Sequence, residues 1–143
     1  MRPVEGTLTM RFKAISGFIY FVCAMILINC GKVDPLQSKT RWEGKCTQQG
    51  FEPYAMIMHV NERDGVNIAG VLQWTLVPSK TRFRGTVIDN DLSFTEYELI
   101  EGGGIALPTF YLGKLDGSTI KGTWIFSRTG PVATGNFWLK QLE

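Results

Sequence analysis

The stretch Phe83-Arg84-Gly85-Thr86-Val87 places a glycine midway between two apolar residues and fills the positions between them with polar side chains. In an extended chain alternate residues share a face, so the two apolar side chains and the glycine face one way. A glycine among inward side chains lets a sheet bend sharply or accept a bulky ring. The same spacing recurs at 42–46, 68–72, 111–115, 120–124 and 133–137.

Six such glycines predict a sheet that curls into a small closed barrel, because repeated glycine bends are how a sheet closes on itself. Turn-adjacent glycines in a β-sandwich are the alternative. Short alternating segments separated by turn residues predict eight strands and no long helix, which indicates an all-β antiparallel meander. The predicted strands are 41–47, 54–62, 67–76, 82–89, 92–100, 105–115, 119–127 and 134–142.

The two faces of these strands differ in polarity. Arg82, Arg84 and Lys121 lie at positions between the apolar and glycine residues, so they belong to the opposite face. A transmembrane barrel turns its apolar side chains outward and keeps a polar interior. The pattern here is the reverse and predicts a water-soluble barrel with a filled interior.

A different segment precedes the barrel. Residues 14–28 are uncharged and largely apolar, and Arg11 and Lys13 stand just before them. A basic start followed by about 7–15 apolar residues is typical of a secretory signal peptide, and the run is shorter than the roughly 20 residues of a membrane-spanning helix. We therefore divide the chain into an export segment, 1–30, that forms a signal or anchor helix, a flexible tether, 31–40, and a barrel domain, 41–143.

The end of the export segment, Leu27-Ile28-Asn29-Cys30, resembles the lipobox of bacterial lipoproteins, with Asn29 where that motif usually has Gly, Ala or Ser. The resemblance implies that Cys30 carries a diacylglycerol and anchors the protein to a membrane of the bacterial cell envelope, facing the periplasm or the surface. Ordinary secretion and an uncleaved anchor remain alternatives. The tether is polar, lacks periodicity and contains Pro35, so we expect it to be disordered.

The charge and the cysteine content limit the possible functions and the possible disulfides. Without residues 1–30 the chain holds equal numbers of basic and acidic residues, so the net charge of +2 belongs to the export segment. A neutral domain without a basic patch does not favour nucleic-acid binding. After lipidation of Cys30 only Cys46 would remain as a thiol, which excludes an internal disulfide. The parity of Cys46 with Trp42 predicts that it is buried.

The overall pattern, Trp42-Glu43-Gly44 entering an up-and-down meander of eight strands, resembles the lipocalin-like (calycin) group. That resemblance implies a single eight-stranded barrel. The Gly-x-Trp motif of lipocalins occurs here in the seventh predicted strand, as Gly122-Thr123-Trp124, and not in the first, so no ligand-binding residues carry over. The pattern is also similar to that of small bacterial lipoprotein domains without an assigned activity.

The sequence contains little that suggests catalysis or a cofactor. His59 is the only histidine, and no Cys-x-x-Cys or His-x-x-x-His spacing indicates a metal. The parity of Leu92 and Phe94 directs Glu96 inward, but Tyr97 and Leu99 compete for the same interior. Either a bulge at 95–96 shifts the phase, or Glu96 lies inside with an Arg or Tyr partner.

We therefore expect a non-enzymatic envelope domain that acts by binding, without metal or cofactor. Its partner is either a small apolar ligand at the barrel mouth, since eight strands can enclose one small molecule, or an envelope protein on the outer wall. A filled barrel with a purely structural role, and an enzyme that uses Glu96, are the alternatives. The candidate wall contacts are the outward apolar residues Phe110, Leu112, Ile125 and Trp138.

Overall fold

The structure is a computed structural model, and it describes residues 34–126, 128 and 130–143. The predicted export segment, including Cys30 and the proposed N-terminal helix, lies outside the described residues. Within them, no helix is long and apolar enough to cross a membrane.

The described part of the chain is an all-β closed barrel of eight antiparallel strands. Each strand pairs with the next along the chain, and the last pairs with the first, so the sheet has no free edge. The prediction of a meander barrel is confirmed, and the sandwich alternative is wrong. The strands are β1 (Thr40–Gln48), β2 (Tyr54–Asp64), β3 (Asn67–Trp74), β4 (Ser79–Ile88), β5 (Asp91–Glu101), β6 (Thr109–Asp116), β7 (Thr119–Phe126) and β8 (Ala133–Leu142).

At five of the six patterned glycines, an added Cβ atom would overlap main-chain atoms of a neighbouring strand. A Cβ atom added to Gly85 would overlap the main-chain oxygen of Ser93, and one added to Gly122 would overlap that of Leu112. A Cβ at Gly70 would also meet the ring of Phe83. At these five positions the curled sheet has no room for a side chain, and at Gly113 the space is tight, with the ring of Phe137 at 3.0 Å. The glycines therefore permit closure.

The interior is filled by alternate side chains from all eight strands. Rings of Phe94 and Tyr111 stack with centroids 4.3 Å apart, and Phe137 meets both rings edge-on. Phe83 packs against Phe94 with a centroid distance of 5.3 Å. Offset and edge-on contacts between aromatic rings add to the gain from burial alone, so this cluster stabilises the middle of the barrel.

The two ends of the barrel differ. One end carries the longer connections 49–53, 75–78 and 102–108, β7 ends there and β8 begins there, and we call it the mouth end. The other carries the short turns 65–66, 89–90 and 117–118 together with residues 34–39, and we call it the closed end.

Residues 34–39 pack on the closed end, in contrast to the predicted disordered tether. Leu36 has no exposed surface and belongs to the core cluster. The main-chain N–H of Lys39 donates to the oxygen of Val60, and Asp34 forms an ion pair with Arg63 at 2.8 Å. The composition of this stretch suggested disorder, but one apolar side chain and these polar contacts fix it to the barrel.

Candidate ligand site at the barrel mouth

A cavity of about 230 Å³ opens at the mouth end. Most of its wall is apolar or aromatic, and side chains from β2, β3, β6 and β7 and from the 102–108 loop contribute to it. The principal wall residues are Tyr54, Trp74, Ile105, Tyr111, Trp124 and Phe126. The interior below is filled, so the barrel is closed by its own side chains at one end and hollow near the other.

The cavity exists because the strands end early on this side. The predicted strand 105–115 begins only at Thr109, and the predicted strand 67–76 ends at Trp74. Pro108 lacks an N–H for the ladder, and the chain from 102 to 108 forms a loop over the mouth. Ile105 of this loop packs against the core, so the loop supplies one wall of the cavity.

Glu96 of β5 lies beneath the cavity and has no exposed surface. Its Oε1 atom accepts hydrogen bonds from Nε1–H of Trp74, at 2.8 Å, and from the hydroxyl of Thr81. Its Oε2 atom accepts a hydrogen bond from the hydroxyl of Tyr111 at 2.9 Å. All three donors are neutral, and they come from β3, β4 and β6.

The register of β5 explains how a carboxylate reaches this position. Glu96 continues the inward alternation of Leu92 and Phe94, and it pairs with Phe83. The next pair joins Arg82 to Glu98, so Tyr97 is an extra residue in a bulge. The structure thus contains both features that the sequence offered as alternatives, but the bulge follows Glu96.

The bulge also explains which side chains near the end of β5 face the interior. Tyr97 and Leu99 are exposed, in contrast to the expectation that both seek the core. The ring of Tyr97 lies 5.1 Å from the guanidinium of Arg84 on the outer surface. The sequence predicted a Tyr or Arg partner for Glu96. The structure supplies Tyr111, together with Trp74 and Thr81. The local sequence around Glu96 did not identify any of these three residues.

Burial shapes the acid–base properties of this cluster. Desolvation raises the pKa of Glu96, and the three hydrogen bonds oppose that shift because they favour the ionised form. Burial, followed by the charge of Glu96, raises the pKa of the Tyr111 hydroxyl and of the Cys46 thiol. Cys46 lines the cavity and is 4% exposed.

Other reactive side chains lie elsewhere. His59 is on the outer face of β2, where partial burial and then the charge of Arg41 lower its pKa. Across the described part of the chain, no three His, Cys, Asp or Glu side chains are close enough to hold a metal ion. Glu96 is the single carboxyl group at the cavity within these residues.

The four candidate wall residues are 43–62% exposed. Phe110 and Ile125 are direct neighbours across β6 and β7, and Leu112 follows Phe110 on the same face, so these three form a continuous patch. Trp138 pairs with Lys121 and lies one strand further round, beside a polar row. The structure therefore brings together three of the four residues.

The chain matches no protein-family model and no curated protein sequence. The case for a function consequently depends on the geometry of the cavity and of the outer wall.

Proposed function

We propose that this protein is a non-enzymatic binding protein of the bacterial cell envelope that holds a small, largely apolar ligand in the mouth of its barrel. One observation carries the proposal: a cavity with aromatic walls stands open at one end of an otherwise filled barrel. Concave, mainly apolar sites with a few polar groups are the usual form of small-molecule sites.

The volume of the cavity limits the size of the ligand. An engineered apolar cavity of about 150 Å³ holds a benzene molecule, and drug-sized ligands occupy sites of roughly 300–1,000 Å³. A cavity of about 230 Å³ lies between these. It suits a single ring with a short substituent, or a short branched chain, and is too small for a complete phospholipid.

The state of Glu96 favours binding over catalysis. Both of its oxygens accept hydrogen bonds from protein donors, and the side chain has no exposed surface. A general acid or base must come within hydrogen-bonding distance of the group whose proton it transfers. A carboxyl group that is enclosed and hydrogen-bonded through both oxygens is better suited to shape the floor of a binding site.

Filling the mouth with a larger side chain tests the proposal. Benzyl alcohol titrated into the full chain should perturb the fluorescence of Trp74 and Trp124, which line the cavity. Ala106 is exposed and also lines the cavity, so Ala106→Trp should fill the mouth without unfolding the barrel and weaken binding at least about tenfold. Ala106→Ser is the matched control. Equal binding by the Trp and Ser variants would exclude the mouth as the site.

The envelope location is the second part of the proposal, and its support is the lipobox-like sequence that ends at Cys30. Cys30→Ser should abolish incorporation of labelled fatty acid and release the domain from membranes. Three residues separate Cys30 from Asp34, and a chain of that length reaches at most about 14 Å. A lipid on Cys30 would therefore hold the barrel close to the membrane surface. Unchanged membrane partition in the variant would favour an uncleaved anchor.

The exposed patch of Phe110, Leu112 and Ile125 favours a second candidate, an envelope protein bound at the outer wall. Contiguous apolar surface commonly marks a contact site. Phe110→Ser with Leu112→Ser should leave the barrel folded and weaken self-association or recovery of a crosslinked envelope partner. Unfolding of the double variant would show that these side chains support the sheet instead.

A further inference from the structure

We propose that the mouth cavity selects a small organic cation, an ammonium group carried on an apolar body, and discriminates against carboxylates such as short fatty acids. This inference rests on the proposed function and specifies the chemical class of its ligand. Three independent features of the cavity carry it: its charge, the use of its hydrogen-bond donors, and its aromatic faces.

The first feature is charge. Glu96 supplies the one carboxyl group that lines the cavity among the residues the structure describes, and no Lys, Arg or His of that part of the chain joins it. Its three partners, Trp74, Thr81 and Tyr111, are neutral. A buried carboxylate is normally paired with a cation, because an unpaired charge is costly to remove from water. A bound cation would offset this charge across the floor of the cavity.

The second feature is that most hydrogen-bond donors of the cavity wall already donate to protein acceptors. Trp74 and Tyr111 give their N–H and O–H groups to Glu96. Nε1–H of Trp124 donates to the main-chain oxygen of Thr47 at 3.1 Å. The hydroxyl of Thr109 donates to the main-chain oxygen of Ala106 at 2.7 Å. The hydroxyl oxygens of Tyr111 and Thr109 retain lone pairs for a ligand, whereas each tryptophan N–H is a donor only and is already used. Within the described lining, the Tyr54 hydroxyl and the Gln48 amide are the side-chain donors that no protein acceptor uses. A carboxylate placed here would therefore regain only part of its lost hydration, whereas an ammonium brings its own donors.

The third feature is the aromatic wall. Tyr54, Trp74, Tyr111, Trp124 and Phe126 all line the cavity. The faces of aromatic rings carry partial negative charge and attract cations, most strongly where water is excluded. One face of Tyr111 is covered by Phe94. Each ring that turns a face to the cavity adds to the attraction of Glu96 for a positive ligand.

Because Glu96 has no exposed surface, its charge acts on the cavity through the floor. Attraction between charges about 4–6 Å apart is several times stronger in a protein interior than in water. A bound cation would in turn stabilise the ionised carboxylate, so its affinity should rise as pH increases and Glu96 loses its proton. The titratable groups that face Glu96 are Cys46 and Tyr111, and both have raised pKa values, so they stay neutral over this range.

Three probes that share one ring test the proposal on the full chain. Benzylamine as its ammonium, benzyl alcohol and benzoate differ mainly in charge, and their affinities can be compared by ligand-observed NMR. We expect the ammonium to bind at least about tenfold more tightly than the alcohol, which corresponds to roughly 1.4 kcal/mol, and benzoate to bind most weakly. Alcohol or benzoate binding as tightly as the ammonium would overturn the inference and leave the proposed function standing. Absence of binding by all three would refute the proposed function itself.

A matched pair of variants locates the source of the selectivity. Glu96→Gln keeps the shape of the floor and removes its charge, so the ratio of the ammonium affinity to the benzyl alcohol affinity should fall to about one. Glu52→Gln removes an exposed charge from the 49–53 connection at the same end and should preserve the advantage. If Glu52→Gln abolished the advantage of the ammonium and Glu96→Gln preserved it, the selectivity would come from the rim of the cavity, and the role of Glu96 would be overturned. The unsubstituted protein supplies a second measurement: an ammonium affinity that does not rise with pH contradicts the proposal.

Discussion

Nε1–H of Trp74 donates a 2.8 Å hydrogen bond to Oε1 of Glu96, which joins β3 to β5 across the interior of the barrel. These strands are not neighbours in the sheet, because β4 lies between them. Thr81 and Tyr111 extend the connection to β4 and β6. The Glu96 cluster therefore links four consecutive strands independently of the backbone ladders and fixes the floor of the mouth cavity.

Removing the acceptor should destabilise the barrel more than removing the charge. Glu96→Leu leaves three buried donors without an acceptor, and an unsatisfied buried group costs about 1–3 kcal/mol. We expect the free energy of unfolding to fall by about 2–4 kcal/mol in urea titrations. Glu96→Gln keeps an oxygen for Trp74 and Thr81 and offers its amide to Tyr111, so it should remain within about 1 kcal/mol of the native protein. A Leu variant as stable as the Gln variant would mean that the cluster contributes little to stability.

The raised pKa of Glu96 predicts the direction of a pH dependence. The folded protein holds this proton more tightly than the unfolded chain, in which a glutamate titrates near about 4.3. The contribution of Glu96 to stability is therefore fully present below that value and is lost as pH rises through the folded pKa. Urea midpoints measured across this range should fall with pH in the native protein relative to Glu96→Gln. His59, whose pKa is lowered, contributes the opposite slope in both proteins and cancels in the difference. If the urea midpoint of the native protein instead rose with pH relative to that of Glu96→Gln, the raised pKa of Glu96 would be contradicted.

The glycine pattern makes a prediction at Gly85. A Cβ there would overlap the main-chain oxygen of Ser93 and the Cβ of Phe94, so β4 and β5 must separate to admit it. Forced overpacking costs about 1–3 kcal/mol, and Gly85→Ala should lower the free energy of unfolding by at least that much. Gly103 has nothing within 4 Å of the corresponding position. Gly103→Ala is thus the matched control and should be neutral. Equal stability of the two variants would remove the steric explanation for the pattern.

Much of the fold could be predicted because the signal was local. Period-two alternation and glycine spacing determine the face of each side chain within one strand, and the closed barrel follows when the same face recurs in six strands. The mouth was harder to predict. Residues 105–108 alternate like a strand, but they form part of the loop, and Pro108 was the signal against the strand assignment.

The candidate site was only partly accessible from sequence. The inward position of Glu96 followed from its parity with Leu92 and Phe94. Its partners Trp74 and Thr81 did not, since they approach only after the barrel has closed and Tyr97 has taken up the bulge. Contacts between residues far apart in the chain leave no periodic trace in the sequence.

Cys46 should act as a reporter for the mouth. Its thiol is nearly enclosed, and burial followed by the charge of Glu96 raises its pKa, so the reactive thiolate is scarce. A maleimide reagent should label Cys46 slowly in the native protein and rapidly in urea, as followed by mass spectrometry of the peptide that contains it. Saturating benzylamine should slow native labelling further. Fast native labelling would mean that the floor of the cavity opens readily.

The closed end supplies the last prediction, at Leu36. The side chain is completely buried although it stands in a polar stretch, and it joins the core together with the contacts of Lys39 and Asp34. Truncation of a buried leucine to alanine costs about 2–5 kcal/mol, depending on how far the surroundings collapse into the space. Leu36→Ala should therefore shift the urea midpoint by an amount typical of a core substitution, while Ser38→Ala, at an exposed neighbour, should not. Hydrogen exchange at Lys39, whose N–H bonds to Val60, should accelerate in the Leu36 variant and remain slow in the control. Equal midpoints and equal exchange would mean that residues 34–39 behave as the flexible tether that their composition suggested, with the barrel stable without them.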